Sequence, residues 1–537
     1  MGETDSTEQG TEASSGVAAA AVLMIVASFG SAVTGLVRET AYAGRFGRSG
    51  PFAAYLAAFG IPDLMYFLIA GGALRTGFIP VFTRYISQGK ESQAWRTFSV
   101  LFCWLLVIGS GLVLLGMLTS DWLTYAVAPG FDPPTHDLCA HLMRIMFPAQ
   151  VFFLLGGLLM GTLNSLRHFL WPAIGPIVYN LIIIAATVVL TPHLGVPGLA
   201  GSVVVGALVS SFILQVPSLW RRGVRLDALF DWRDEGLRQV LALILPITFG
   251  LAISELSFIV VKSIATMLGT AAIPTLNYAN RLVKLPERVF GAGIAIAVFP
   301  ALSAHFAVGE KDRFRQDVSF GLRNVMFLGV PSAVVLIVLA APIVRLLFQH
   351  GSRFTDQDTT AVAHAVVWFA LSVPALAGQY VIARAFYAMH ETRAPVVVGV
   401  FSEIACGLLA WFLRVPMGVN GLALAYSLSS IGNAIVLLEM LRRRAGGIDG
   451  RRLLVTTGRT AAGGAVLAAI CWAGAMAVAD RLGTAGFAAR LIAVAGPAGL
   501  GTLLYVGIYT RLGGTEAASA WQMVTRRLRR GESANGE

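Results

Sequence analysis

Apolar residues run through this chain in blocks of about twenty, separated by short stretches where Arg, Lys, Asp, Glu, Gly and Pro collect. A block of that length, wound as a helix, crosses a hydrocarbon layer of ~30 Å. The pattern predicts fourteen such helices, at approximately 17–37, 51–74, 97–119, 140–163, 169–191, 196–219, 239–268, 274–304, 320–348, 360–387, 395–414, 417–441, 454–479 and 489–511. The eighth is the least regular, because Arg281, Lys284, Glu287 and Arg288 interrupt it. Residues 1–16 are polar and acidic and lack the basic start of a secretory signal, so a disordered tail is expected there.

The blocks also repeat. Phe78-Ile79-Pro80 with Gly89 returns as Val298-Phe299-Pro300 with Gly309, at an offset of 220. Gly195-Val196-Pro197-Gly198-Leu199-Ala200 returns as Gly418-Val419-Asn420-Gly421-Leu422-Ala423, and Pro172 as Pro395, at 223. The expected fold class is therefore an all-α polytopic membrane protein. It has two pseudo-symmetric six-helix lobes, 17–219 and 239–441, joined by a linker at 220–238. Two further helices follow at 454–511, then a basic tail at 512–537. Six crossings per repeat give both lobes the same orientation. Halves of this kind are a transporter's pattern, with the substrate path expected between them.

Charge orients the chain. With the N-terminus on the cytoplasmic side, inward loops and tail hold 26 Lys and Arg, and outward loops hold 7. That asymmetry places both termini in the cytoplasm. Composition agrees with the bilayer: 56% of the 537 residues are hydrophobic and 13% charged, against roughly a quarter charged in soluble proteins. The net charge of +11 sits in loops without a nucleic-acid motif, so no nucleic-acid partner is expected. Cys103, Cys139, Cys406 and Cys471 have no metal-binding spacing and read as small core residues. No P-loop, metal cluster or catalytic triad is present, so a transporter without cofactor is expected rather than an enzyme.

Charges inside the blocks are the candidate chemistry, because burying them in lipid is costly. Arg38 ends the first block beside Glu39, with Arg45 and Arg48 close by. Arg281, Lys284 and Arg288 fall at i, i+3 and i+7, on one helical face. Lys262 and Glu255 share a side of the seventh helix. Asp63 and Glu403 lie in the second and eleventh. Guanidinium forks suit phosphate or pyrophosphate oxygens. The substrate-binding candidates are thus Arg38, Arg45, Lys262, Arg281, Lys284 and Arg288. The carboxylates Glu39, Asp63, Glu255 and Glu403 either pair internally or respond to protons or cations.

Several stretches resemble the lipid II flippase family (MurJ/MviN) of the multidrug/oligosaccharidyl-lipid/polysaccharide exporter superfamily. They are Gly35-Leu36-Val37-Arg38-Glu39, Ile61-Pro62-Asp63-Leu64, Ala128-Pro129-Gly130-Phe131, Leu276-Asn277-Tyr278-Ala279-Asn280-Arg281-Leu282, and Arg384-Ala385-Phe386-Tyr387-Ala388-Met389 with Thr392-Arg393-Ala394-Pro395. The resemblance implies transfer of undecaprenyl-pyrophosphate-linked peptidoglycan precursor between leaflets of the bacterial cytoplasmic membrane. Alternating access of two lobes would drive it, and the last two helices would form a lipid-tail groove. It implies cavity arginines at Arg38 and Arg281. Other family charges fall on Ala32, Ala53, Tyr66 and Gly71. Val261 and Cys406 replace polar residues of the kind that bind a coupling cation. A monomer among membrane lipids is expected. Alternative readings are a flippase for another polyprenyl-linked oligosaccharide, a drug/cation antiporter, and a non-transporting scaffold.

Overall fold

The computed structural model describes residues 4–69, 73–224, 226–483 and 486–517, and the side chains of most of these. Every regular element among them is helical. The chain divides into two compact units, residues 1–274 and 275–537.

The first unit contains α1 (Thr4–Phe46), α2 (Gly50–Ala58), α3 (Gly60–Ile69), α4 (Ala73–Ser87), α5 (Glu91–Leu118), α6 (Ser120–Val127), α7 (Pro133–Met146), α8 (Ala149–Ser165), α9 (Leu170–Val189), α10 (Thr191–Ala207), a π-helical turn (Leu208–Ile213), α11 (Val216–Trp220) and α12 (Glu235–Thr266). The second begins within α13 (Ala272–Pro286) and continues through a π-helical turn (Glu287–Ala292), α14 (Gly293–Ala307), α15 (Lys311–Val338), α16 (Ala340–Phe348), α17 (Asp356–Ala370), α18 (Val373–Ala388), α19 (Arg393–Met417), α20 (Val419–Arg444), α21 (Gly450–Leu482) and α22 (Phe487–Arg511).

Among the described residues, ten helical stretches are long and apolar enough to cross a membrane, or eleven if the bent pair α17–α18 is one span. The first, second and seventh predicted spans run into residues or side chains outside the described set. The second also breaks at Phe59, between α2 and α3. The segment expected as a tail enters α1 at Thr4; residues 4–16 contain no proline to stop a helix. The tail beyond residue 517 and Gly71 lie outside the described residues.

The repeat seen in the sequence returns in the backbone. Gly195 and Gly418 hold φ/ψ of 61°/−148° and 56°/−133°, a region open to glycine and closed to other residues. Arg167 and His390, also 223 apart, both adopt left-handed backbone, with φ of 60° and 56°. Each sits just past a helix end. His168 N donates to the Leu163 carbonyl at 2.8 Å and Arg167 N to Asn164 at 3.1 Å; Glu391 N donates to Phe386 at 2.9 Å and His390 N to Tyr387 at 3.0 Å. These are two Schellman caps of the same form, completed without glycine.

The two cores match as well. In the first unit Phe78, Phe82 and Phe98 are buried in one cluster. In the second, Val298, Leu302 and Val318 are buried at positions 220 later. Large residues of one repeat therefore correspond to smaller ones of the other, and Phe314 stands where the first unit has Ala94. Volume is redistributed between layers while burial is kept, which a close-packed core tolerates. All four cysteines are buried and unpaired, as small apolar residues would be.

The linker packs on α5. Asp234 caps α12 by accepting from Leu237 N at 2.8 Å, and Arg96 bridges to Asp231 at 2.9 Å and Asp234 at 3.5 Å. The Arg233 backbone N–H and then Arg96 hold the Asp231 carboxyl below its ordinary range. The Trp104 ring lies 4.3 Å from that of Trp232.

Candidate functional site

In the first unit the site grows from one face of α1. Ser31, Thr34 and Arg38 recur at helical spacing, and α1 packs along α9. That face meets Asn180, the single amide in the apolar run of α9. The Asn180 Nδ2 donates to the Ser31 carbonyl at 3.3 Å and to Thr34 Oγ1 at 3.2 Å. Its Oδ1 accepts from Arg38 Nη1 at 3.1 Å. The other terminal nitrogen of Arg38 bridges to Glu39 Oε1 at 2.9 Å, with side chains 14% and 2% exposed.

Arg38 also lies 5.6 Å from the centroid of the Tyr42 ring, a cation–π distance. The Tyr42 and Tyr55 hydroxyls are 3.3 Å apart. Tyr179 feels Arg38, Tyr42 and Asp63 electrostatically, which gathers these groups into one neighbourhood. Arg38 Nε is buried with no hydrogen-bond partner among the described residues. The arrangement is a guanidinium held by one carboxylate and one amide, with a donor still to satisfy. An oxyanion ligand would complete it.

The remaining candidates of this unit lie at varied depth. Arg45, two turns beyond Arg38, donates from Nε to Thr191 Oγ1 at 3.0 Å. Lys262 is half-buried on α12, next to the buried Val261. Asp63 is half-buried in the first turn of α3. The Glu255 side chain lies outside the described residues. Tyr66 stacks edge-on against Phe153, which in turn packs on Tyr179. An aromatic wall therefore stands where the family resemblance leads one to expect a charge. Ala53 is fully buried.

In the second unit, Arg281 and Lys284 are half-buried on α13. The sequence places Arg288 on the same face, and a π-helical turn starts at Glu287, directly after Pro286. Arg288 is exposed. Glu287 is buried instead. It accepts from the Tyr380 hydroxyl at 3.3 Å, while its Oε2 has no partner among the described residues. Lys284 and Arg288 bear on Glu287 electrostatically. Tyr426 feels Glu287, Glu403, Cys406 and Tyr380 together, so α18, α19 and α20 bring their polar groups to one place. Cys406 is fully buried, and its side chain offers no oxygen to a cation.

Sequence reasoning did not find Asn180, Tyr42, Tyr55, Tyr179, Tyr380 or Tyr426. A lone amide in an apolar block was the available signal for Asn180. The tyrosines are indistinguishable from core aromatics until their hydroxyl partners are seen.

Comparison with known proteins agrees with this architecture. A flippase from Burkholderia cenocepacia, described as lipid II flippase MurJ, is 32% identical over 425 residues, covering 77% of this chain and 81% of its own. A probable lipid II flippase MurJ from Vibrio cholerae is 29% identical over 93% of this chain and 96% of its own. The solved structure of lipid II flippase MurJ in an inward closed conformation superposes with a TM-score of 0.77 at 22% identity, covering 91% of this chain and 99% of that one. An inward-facing multidrug resistance MATE family transporter of the MOP superfamily shares the fold at a TM-score of 0.68 and 16% identity, over 78% of this chain and 94% of that one. The family model for lipid II flippase MurJ matches residues 42–493. With the helical units, the charged groups lodged in them and this match together, the chain belongs to the lipid II flippase MurJ family.

Proposed function

We propose that this protein is a lipid II flippase. It moves the undecaprenyl-pyrophosphate-linked peptidoglycan precursor from the inner to the outer leaflet of a bacterial cytoplasmic membrane by alternating access. The family match along residues 42–493 carries this reading. Fourteen spans in two six-helix lobes plus two C-terminal helices, both termini in the cytoplasm and a monomeric state complete it.

The chemistry of Arg38 suits the role. Its partners leave Nε unsatisfied, and a diphosphate oxygen can supply the missing acceptor. Glu39 neutralises the guanidinium when no substrate is bound, so the bilayer-buried charge is never left alone. Arg281, with Lys284 and Arg288, supplies a second set of cationic groups. Glu39, Asp63, Glu255 and Glu403 are the proposed gating or ion-coupling carboxylates. Lipid II would bring its own tail, which stays in hydrocarbon while the headgroup passes.

Complementation tests the proposal. Expression in a bacterium depleted of its own flippase should restore growth and clear precursor from the cytoplasmic face. Well-folded, membrane-inserted protein that restores neither overturns it. The aromatic wall at Tyr66 favours a second reading, a flippase for another polyprenyl-linked oligosaccharide. Rescue of an oligosaccharide-export mutant, but not of the flippase-depleted strain, would select that reading.

A further inference from the structure

A recess of about 690 Å³ opens on the first unit, away from the groups around Arg38. One wall is apolar, built from Trp171, Ile213, Leu214 and Pro217, and the other end holds Arg221 and Arg222. The local sequence explains the shape. The π-helical turn Leu208–Ile213 widens the end of α10, and Pro217 starts the short helix α11. Gly223, at φ +72°, then turns the chain so that both arginines project at the helix end. Leu166 at the end of α8 and Trp171 at the start of α9 also line the recess, and the Schellman cap at Arg167 and His168 lies between them.

The electrostatics of the recess are cationic. Burial first and then the nearby Arg222 hold the His168 ring below its ordinary pKa. Two acids of the linker are used elsewhere: Arg96 binds Asp231 and Asp234 at 2.9 and 3.5 Å. Among the described residues, Arg221 and Arg222 have no carboxylate partner and both are exposed. Trp220 is 71% exposed and Trp171 37%. Indoles at that exposure, beside arginines, mark the depth of lipid headgroups.

We infer that this recess is a binding site for an anionic phospholipid of the cytoplasmic leaflet, distinct from the transported substrate. The phosphate sits against Arg221 and Arg222, and the upper acyl chain lies along Trp171 and Ile213. The split lining selects this occupant. A free phosphate or a phosphopeptide would leave the apolar wall in water, and a neutral lipid would leave two guanidinium groups uncompensated. The leaflet follows from the proposed orientation, while the lipid class does not depend on which glycan the protein transports.

The test uses the full-length protein in nanodiscs of phosphatidylglycerol or of phosphatidylcholine, with a dansyl-labelled phosphatidylglycerol reporting energy transfer from tryptophan. Native mass spectrometry counts retained lipid. Wild type should retain phosphatidylglycerol in preference to phosphatidylcholine. Arg221→Gln/Arg222→Gln should lose roughly tenfold in that preference, since each basic residue near an anionic surface contributes several-fold. Arg481→Gln, also exposed, should not change it. Both variants lie on the surface, so circular dichroism and gel filtration should match wild type. Equal retention by the double variant overturns the site. Displacement by millimolar inorganic phosphate overturns the lipid assignment. Complementation with the double variant separates the two proposals: lost lipid preference with retained growth supports the recess independently of the flippase reading.

Discussion

Arg38 and Asn180 lie 142 positions apart and meet at 3.1 Å, Nη1 to Oδ1. The contact ties α1 to α9 at the point where α1 carries its buried charge. It turns Arg38 from an isolated cation into one member of a network with Glu39, Thr34 and Tyr42. The sequence predicts that Arg38→Ala spares folding, since Arg38 is not an apolar core residue. The geometry changes that expectation. Alanine would take from Glu39, whose side chain is 2% exposed, its ion pair with Arg38, at a cost of about 3 kcal/mol.

Arg38→Ala should therefore lower Tm as well as transport. Arg38→Met/Glu39→Gln removes both charges, so it should recover most of the lost Tm while growth of a flippase-depleted strain stays unrescued. Thermal unfolding in detergent and complementation read the two effects separately. Rescue by the double variant would remove Arg38 from the transport machinery.

Arg281→Lys keeps the charge and discards the planar fork. Transport should fall roughly tenfold, the scale of a lost charge-assisted hydrogen bond, with Tm close to wild type. A precursor-accessibility assay in intact cells measures it. Transport equal to wild type for both Arg281→Lys and Arg281→Ala would dismiss this site.

Glu516 closes the end of the second unit. It accepts from Arg323 at 2.8 Å and from the Tyr509 hydroxyl at 2.5 Å, and is almost fully buried. Glu516→Ala should destabilise by about 3 kcal/mol, because Arg323 is left partly buried and unpaired. Glu516→Gln should lose less, since an amide oxygen still accepts. Unfolding midpoints of the two variants, in that order, check the assignment.

Gly130 belongs to the Ala128-Pro129-Gly130-Phe131 stretch that resembles the family. A Cβ there would stand 2.5 Å from the backbone of Thr266 and Met267, and Gly130 N donates to Thr266 Oγ1 at 2.9 Å. Backbone cannot move aside as a side chain can. Gly130→Ala should cost about 2 kcal/mol, seen as a lower Tm and a weakened junction between α6 and α12 in hydrogen exchange.

His390 holds left-handed backbone in a Schellman cap where glycine is the usual occupant. His390→Gly should raise stability by about 1 kcal/mol, the scale of the left-handed penalty for a residue with a Cβ. A lower Tm would show that the imidazole makes a compensating contact.

The sequence by itself determined the helical class, the presence of many membrane-length apolar helices and the recurrence of short motifs at offsets of 220 and 223. All three depend on periodic burial that local residue order records. The offset of 223 between Gly195 and Gly418 even anticipates the same unusual backbone at both places. Residue order also marked Arg38 and Arg281 as charges out of place in apolar blocks. It could not say what Arg38 touches, because Asn180 lies on a helix more than a hundred residues away. It placed Arg288 with Arg281 and Lys284 on one helical face, and it gave no sign of the π-helical turn that starts at Glu287, after Pro286. Only tertiary packing decided that Glu287 is buried and that Tyr66 packs into an aromatic wall. Periodicity tells which side of a helix avoids water. The partner that meets that side is fixed by contacts between distant segments, which no local pattern encodes.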